Sequence, residues 1–212
     1  MDLEKKVFIL EEYFNEEREI NLNQYTHIRA YHACRPLSVQ DYFAKGIEPI
    51  SCERALEEAL IRLKSEGLNK DKIKGQFKIA WKDLNEIHKK VWLIIHKELL
   101  LTKSGHYLIY GSEFLNALAM ELGYRDSLKQ VGIPTIFHCD IPIKNLACSE
   151  ISYIEEGIEL GREFGYDISI SVDTVPPQYI VDYEHPNRKI PDPYYYGVKY
   201  KPDYKELKNL GI

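Results

Sequence analysis

Five short runs of strand-forming residues, set at uneven intervals, constrain this chain more than any single motif. Residues 26–31, 98–102, 106–110, 134–143 and 167–172 are rich in strand formers, and the gaps between them run from three residues to more than sixty. A doubly wound parallel sheet needs strands and helices in regular alternation, so that architecture is disfavoured. The expected class is α+β, a mixed sheet flanked by helices. At 212 residues the chain suffices for one well-buried core, and we expect a single domain over 1–212.

Helix signals fill the gaps. Residues 3–19 read as an acidic helix with Val7, Leu10 and Phe14 along one side. Ser38 can cap a helix through Val39, Tyr42 and Phe43 that ends at Gly46; Ser51 can cap a second, whose Ala55, Leu56, Ala59, Leu60 and Leu63 recur at helical spacing before Gly67. Ile73, Phe77, Trp81, Leu84, Ile87 and Val91 continue that spacing, so a helical insertion is expected over about 70–97, with Trp81 and Trp92 packed in it. Ser112 caps EFLNALAMEL, which Gly123 closes, and a helix weakened by Gly157 and Gly161 is expected over 150–163. Beyond Val175, six of the ten prolines and seven of the sixteen tyrosines crowd into the stretch ending at Tyr204. Such a segment forms no regular helix and is too aromatic for a free linker. Residues 176–212 are therefore expected to wrap the domain in extended form, with the PYYYG run buried against the sheet.

The formal charge is −5 and the pI about 5.8, which provides no global attraction for a polyanion. No apolar run approaches the roughly 20 residues of a membrane span, and the first residues lack the pattern of a secretory signal. Cys34, Cys52, Cys139 and Cys148 form no C-x-x-C pair and no zinc-like spacing with histidine. Neither membrane nor metal is expected, and a reducing cytoplasm, with the cysteines as thiols, is the simplest location.

Two segments carry the residues of chemical interest. The first is Tyr31-His32-Ala33-Cys34-Arg35-Pro36, followed by the capped helix and Lys45-Gly46-Ile47-Glu48-Pro49. The second is Gly105-His106-Tyr107-Leu108-Ile109, followed by Ser112 and a helix containing Asn116 and Ala117. In this order the chain resembles the histidine–tyrosine branch of the ADP-ribosyltransferase superfamily, which includes the poly(ADP-ribose) polymerases. That branch has H-G-(S/T)-R, a short helix and G-(L/I), then G-x-Y-F-A and a helix with S-A. The resemblance covers roughly residues 25–180. It implies a split mixed sheet, NAD as co-substrate between the half-sheets, and transfer of one ADP-ribose unit to a protein or nucleic acid acceptor, or cleavage of NAD to nicotinamide. A small chain of this kind suits a bacterial toxin, an effector or a defence enzyme.

The resemblance also implies roles. His32, at a strand end, would bond a ribose hydroxyl, and Tyr107 would stack on the nicotinamide ring. Ala33, in the usual glycine position, would hold the nicotinamide amide through its backbone; Cys34 replaces Ser or Thr, Arg35 would pair with the pyrophosphate or else sit in a surface ion pair, and Tyr110 would line the same cleft or else sit on the far face of its strand. His106, alternating with Tyr107 on a strand, would point away. The family's glutamate near the start of the last core strand is missing. Asp167, Ser169 and Ser171 share one face there by period-two alternation, Asp167 being the nearest acidic candidate, and Asp173 and Gln178 are poorer by position. His138 and Asp140 read as a polar strand surface. Three alternatives stand beside the enzyme: a non-catalytic nucleotide- or partner-binding module on the same fold, a structural or interaction protein with an acidic helical surface and a tyrosine-rich tail, and an RNA 2′-phosphotransferase, whose closing segment SVDTVPPQYI resembles.

Overall fold

The central strand is set by alternation within residues 27–34. Ile28 and Ala30 turn to one face, Tyr31 and Ala33 to the other, and all four are buried. The computed structural model describes residues 4–14, 20–63, 68–84 and 89–204. In it, β1 is Val7–Phe8 and the central strand is β2, His27–Cys34. They are followed by α1 (Val39–Lys45), α2 (Cys52–Arg62), α3 (Lys70–Lys82), β3 (Val91–Ile94), α4 (Lys97–Thr102), α5 (His106–Tyr110) and α6 (Glu113–Leu122). β4 (Thr135–Pro142), α7 (Cys148–Phe164), β5 (Ser169–Val172), β6 (Ile180–Glu184), β7 (Ile190–Pro191) and β8 (Lys199–Tyr200) complete the order.

The main sheet runs β5-β3-β2-β4-β6, with β1 parallel beside the start of β2 and every other pair antiparallel. β2 and β4 register along their whole length, from His27 opposite Pro142 to Cys34 opposite Thr135. β2 and β3 register at one rung only, Tyr31 opposite Ile94. The sheet is thus two blocks, β2-β4-β6 and β3-β5, joined at that rung. Helices cover both faces, as the α+β reading expects. α1 and α7 lie over Ile28, Ala30, Leu93, Phe137 and Ile170, while α2 to α6 pack with Ala33, Ile136, Ala59, Leu63, Leu108 and Leu118. Burial of each large apolar side chain contributes about 1.5–3 kcal/mol, the main force holding the layers.

Local signals placed several helices correctly. The hydroxyls of Ser38, Ser51 and Ser112 accept from the amides of Asp41, Arg54 and Leu115. Gly46 ends α1 at φ +87°, where a Cβ would stand 2.3 Å from the Val175 carbonyl oxygen. Glycine is required there for both reasons, because Ile47 and Val175 bridge the chain at that point.

Other expectations are corrected. The described part of 3–19 is not a helix: Val7 and Phe8 pair with His27 and Ile28, and Leu10–Tyr13 form a 3-10 turn, while residues 15–19 and 1–3 lie outside the described residues. Burial of Phe8 against Tyr13 and Tyr25 outweighs helical spacing. In the insertion at 70–97, α3 ends at Lys82, residues 85–88, with Ile87, lie outside the described residues, Val91 belongs to a strand, and Trp92 sits on that strand, 43% exposed. Residues 98–102 and 106–110 are helices, not strands, since Leu99, Leu100 and Leu101, and likewise Leu108, Ile109 and Tyr110, are buried consecutively. β5 is not the last strand.

The tail is extended, as expected, through β6 on the sheet edge and the β7–β8 pair; residues 205–212 lie outside the described residues. Ile190 crosses Gly105, where a Cβ would meet its Cγ2 at 2.4 Å. The PYYYG run is not buried: Tyr194 and Tyr195 are exposed, and Tyr196 fully so. Asp140 is no surface group either. Although burial alone would raise its carboxyl, hydrogen bonds from Arg29 and Lys5 hold it below the usual range. Among the described residues, no helix is long and apolar enough to cross a membrane.

Candidate functional site

A cleft of about 430 Å³ opens where β2 departs from β3, within the roughly 300–1,000 Å³ range of small-molecule sites. Its walls include His32, Ala33 and Cys34 from β2, Trp92 from β3, His106 and Tyr107 from α5, Glu113 from α6, and Asp167 and Ser169 at the start of β5.

His32 spans the gap between the blocks. Its Nδ1 lies 3.1 Å from the Trp92 carbonyl oxygen. A carbonyl only accepts, so Nδ1–H donates, and in the neutral ring Nε2 keeps its lone pair. Burial lowers the pKa of this imidazole, and the carbonyl bond opposes that only in part. The ring is therefore neutral near pH 7, with Nε2 as an acceptor.

Tyr107 enters from α5, which Gly111 terminates at φ +88°. Its hydroxyl donates to Glu113 Oε1 at 2.8 Å; burial first, then the Glu113 carboxylate, raises the phenol's pKa, so it stays a donor. His106 lies beside it, ring centroids 4.0 Å apart, with Nε2 at 3.5 Å from Glu113 Oε1. Successive residues of a helix do not face opposite ways as those of a strand do. His106 therefore lines the cleft with Tyr107 instead of pointing away.

Asp167 is exposed and Ser169 half-buried where they line the cleft. The Cys34 thiol donates to the Tyr42 hydroxyl at 3.7 Å and is pushed up to about 12, chiefly by burial, so it remains a neutral thiol and not a nucleophile.

Two of the expected ligand-binding residues have other work. Arg35 is 1% exposed. Its guanidinium donates to the carbonyls of Val131, Leu108, Lys129 and Gly132 and to the Tyr200 hydroxyl, at 2.7–3.1 Å. All five N–H donors are spent, and none is left for a pyrophosphate. Tyr110 is wholly buried, donates to Asp192, and does not line the cleft.

Arg35 and Arg62 stand on the cleft wall but are buried, whereas Arg54, paired with Glu48 at 2.6 Å, and Lys90, 3.8 Å from Asp173, line it about half exposed. Arg62 is buried and held by Glu58 and by the carbonyls of Arg35 and Val131. Sequence reasoning missed Trp92, Glu113, Arg54 and Lys90. For Trp92 a signal existed: V-W-L-I after Lys89-Lys90 is a short apolar run of strand formers. No family model matches the chain, and comparison with curated proteins and with solved structures likewise finds no match.

Proposed function

We propose that the chain is an NAD-dependent ADP-ribosyltransferase, moving one ADP-ribose unit to a protein or nucleic acid acceptor or, with water as acceptor, cleaving NAD to nicotinamide. The observation that carries this reading is the convergence of His32 and Tyr107, some 75 residues apart in sequence, on one cleft at the junction of two sheet blocks. The family resemblance drew attention to those same two residues, and a two-block sheet with a cleft at its junction is the architecture it implies.

The cleft's residues suit the chemistry. In the reaction the C1′–N glycosidic bond breaks, its electron pair leaves with nicotinamide, and the acceptor's oxygen or nitrogen bonds C1′ as it loses a proton. His32 Nε2 accepts from a ribose hydroxyl, fixing the sugar. The Tyr107 ring stacks on the nicotinamide, and its hydroxyl, anchored to Glu113, fixes the ring plane. The carboxylates of Asp167 and Glu113 place negative charge along the cleft for the positive charge developing on the ribose. Arg54 and Lys90 take over the phosphate contact that Arg35 cannot make.

A second reading is nucleotide binding without turnover, favoured by the lack of any carboxylate on β5 itself, whose residues are Ser169 to Val172. Calorimetric titration with NAD tests the shared premise. Wild type is expected to bind, Tyr107→Ala to bind at least about tenfold more weakly through loss of stacking, and Tyr107→Phe to lie between. No heat of binding with the folded wild type defeats both readings.

A further inference from the structure

We infer that the face built by Arg125 and the turn at 192–198 is a binding site for single-stranded nucleic acid, with a phosphodiester on the Arg125 guanidinium and bases on Tyr195 and Tyr196. Among the described residues, Arg29, Arg35, Arg54, Arg62 and Arg188 each donate to a carboxylate or a carbonyl. Among the same residues Arg125 has no such partner: its Nε–H is buried without one, and its two terminal nitrogens reach solvent. Rings hold it instead. Its Cζ lies 4.4 Å from the ring centroid of Tyr194, 5.7 Å from that of Tyr110 and 5.9 Å from that of Tyr195. Stacking engages the face of a guanidinium and leaves the N–H groups in its plane to donate. The fork is thus set in place for an oxyanion, in the wall of a recess of about 300 Å³ that Met120, Asp126 and Tyr195 also line.

The tyrosines are mounted on the turn that joins β7 to β8. Asp192 fixes that turn: its carboxylate accepts from the Tyr194 N–H at 3.0 Å and from the Tyr110 hydroxyl, and its own N–H donates to the Val198 carbonyl. Tyr195 is 43% exposed and Tyr196 fully so. Neighbouring rings left in water are the informative exception to burial. A nucleic acid strand carries a planar base beside every phosphate, which matches rings beside a guanidinium, whereas an acidic peptide offers the anion without the ring. Two acids stand near, Asp126 and Asp192, and Lys129 lies 2.7 and 3.8 Å from them; Lys199 and Lys201, exposed beyond the turn, add positive charge. Tyr194 also reaches the cleft, its ring centroid 6.0 Å from that of His106. Under the reading above the bound strand is therefore the acceptor, although the binding itself does not rest on that reading.

Fluorescence anisotropy with a short fluorescein-labelled oligothymidylate, in the absence of NAD, tests this. Wild type is expected to bind with an affinity that falls as salt rises. Arg125→Gln is expected to bind about 10-fold more weakly, with the slope of log affinity against log salt shallower by about 0.7. Tyr196→Ala, a change at the surface, is expected to bind about 10-fold more weakly with the salt slope of wild type. Should Arg125→Gln not fold, by circular dichroism, Tyr196→Ala alone decides. No binding by folded wild type, or wild-type affinity in either folded variant, overturns the assignment. So does a labelled polyglutamate peptide that binds as tightly as the oligonucleotide and loses nothing in Tyr196→Ala. Failure in this assay leaves the NAD reading standing, and oligonucleotide binding by a chain that NAD does not bind sustains the site and defeats that reading instead.

Discussion

His32 and Arg35 stand three residues apart in one short run and have opposite fates. Arg35 has every donor satisfied by the protein, and His32 has one ring nitrogen satisfied and the other kept as an acceptor. From the sequence both looked like ligand-binding groups, because a residue's type does not tell whether its partners come from the chain or from a ligand. Arg35 joins the loop at 129–132, α5 and β8, so it is a structural hub. We expect Arg35→Met to lose on the order of 3 kcal/mol or more, measured by urea unfolding, because it takes the guanidinium donor from the carbonyls of Leu108, Lys129 and Gly132 and from the Tyr200 hydroxyl, while Val131 keeps only Arg62. Arg35→Lys should recover only part, since an ammonium offers three donors where five are used. Unchanged unfolding midpoints in both variants would mean that these bonds do not hold the loop.

Elements whose ends are set by short-range chemistry were legible, and those set by distant partners were not. Serine caps and the terminating Gly46 and Gly123 marked α1, α2 and α6, because a cap is made within a few residues. H-Y-L-I-Y carries strand-forming residues, yet becomes α5 because the core takes Leu108, Ile109 and Tyr110 together, and no local signal encodes that. With α5 misread, His106 was assigned to the wrong side of the cleft. The same segment depends on the tail, since Gly105 lies directly under Ile190, with Pro191 O at 3.0 Å from where a Cβ would be. Gly105→Ala is therefore expected to cost about 1–3 kcal/mol by overpacking and to speed proteolytic cleavage of the segment around 190. Gly75→Ala, with nothing within 4 Å of its Cβ in the middle of α3, should instead stabilise by about 0.5–1 kcal/mol. Equal thermal melts for the two variants would contradict this placement of the tail.

The molecule as a whole is two sheet blocks meeting at a single rung, with the cleft at that seam. The order of strong strands and capped helices was enough to indicate an α+β chain. The seam was not legible, because it depends on β3, which helical spacing concealed. His32 was legible as a residue of interest only through its neighbours, and Glu113 not at all, since its role comes from a contact with Tyr107 made in the fold. The central claim is that this seam holds NAD with His32 as a neutral acceptor, and nicotinamide release from NAD by the folded protein tests it most directly. Wild type is expected to release nicotinamide at a rate that is level above pH 7. Because burial lowers the His32 pKa, the rate should fall only as the pH drops below the ordinary histidine value of about 6.5. His32→Ala is expected to be slower by about 10²-fold or more. No release by wild type, or release by His32→Ala at the wild-type rate, would contradict the account.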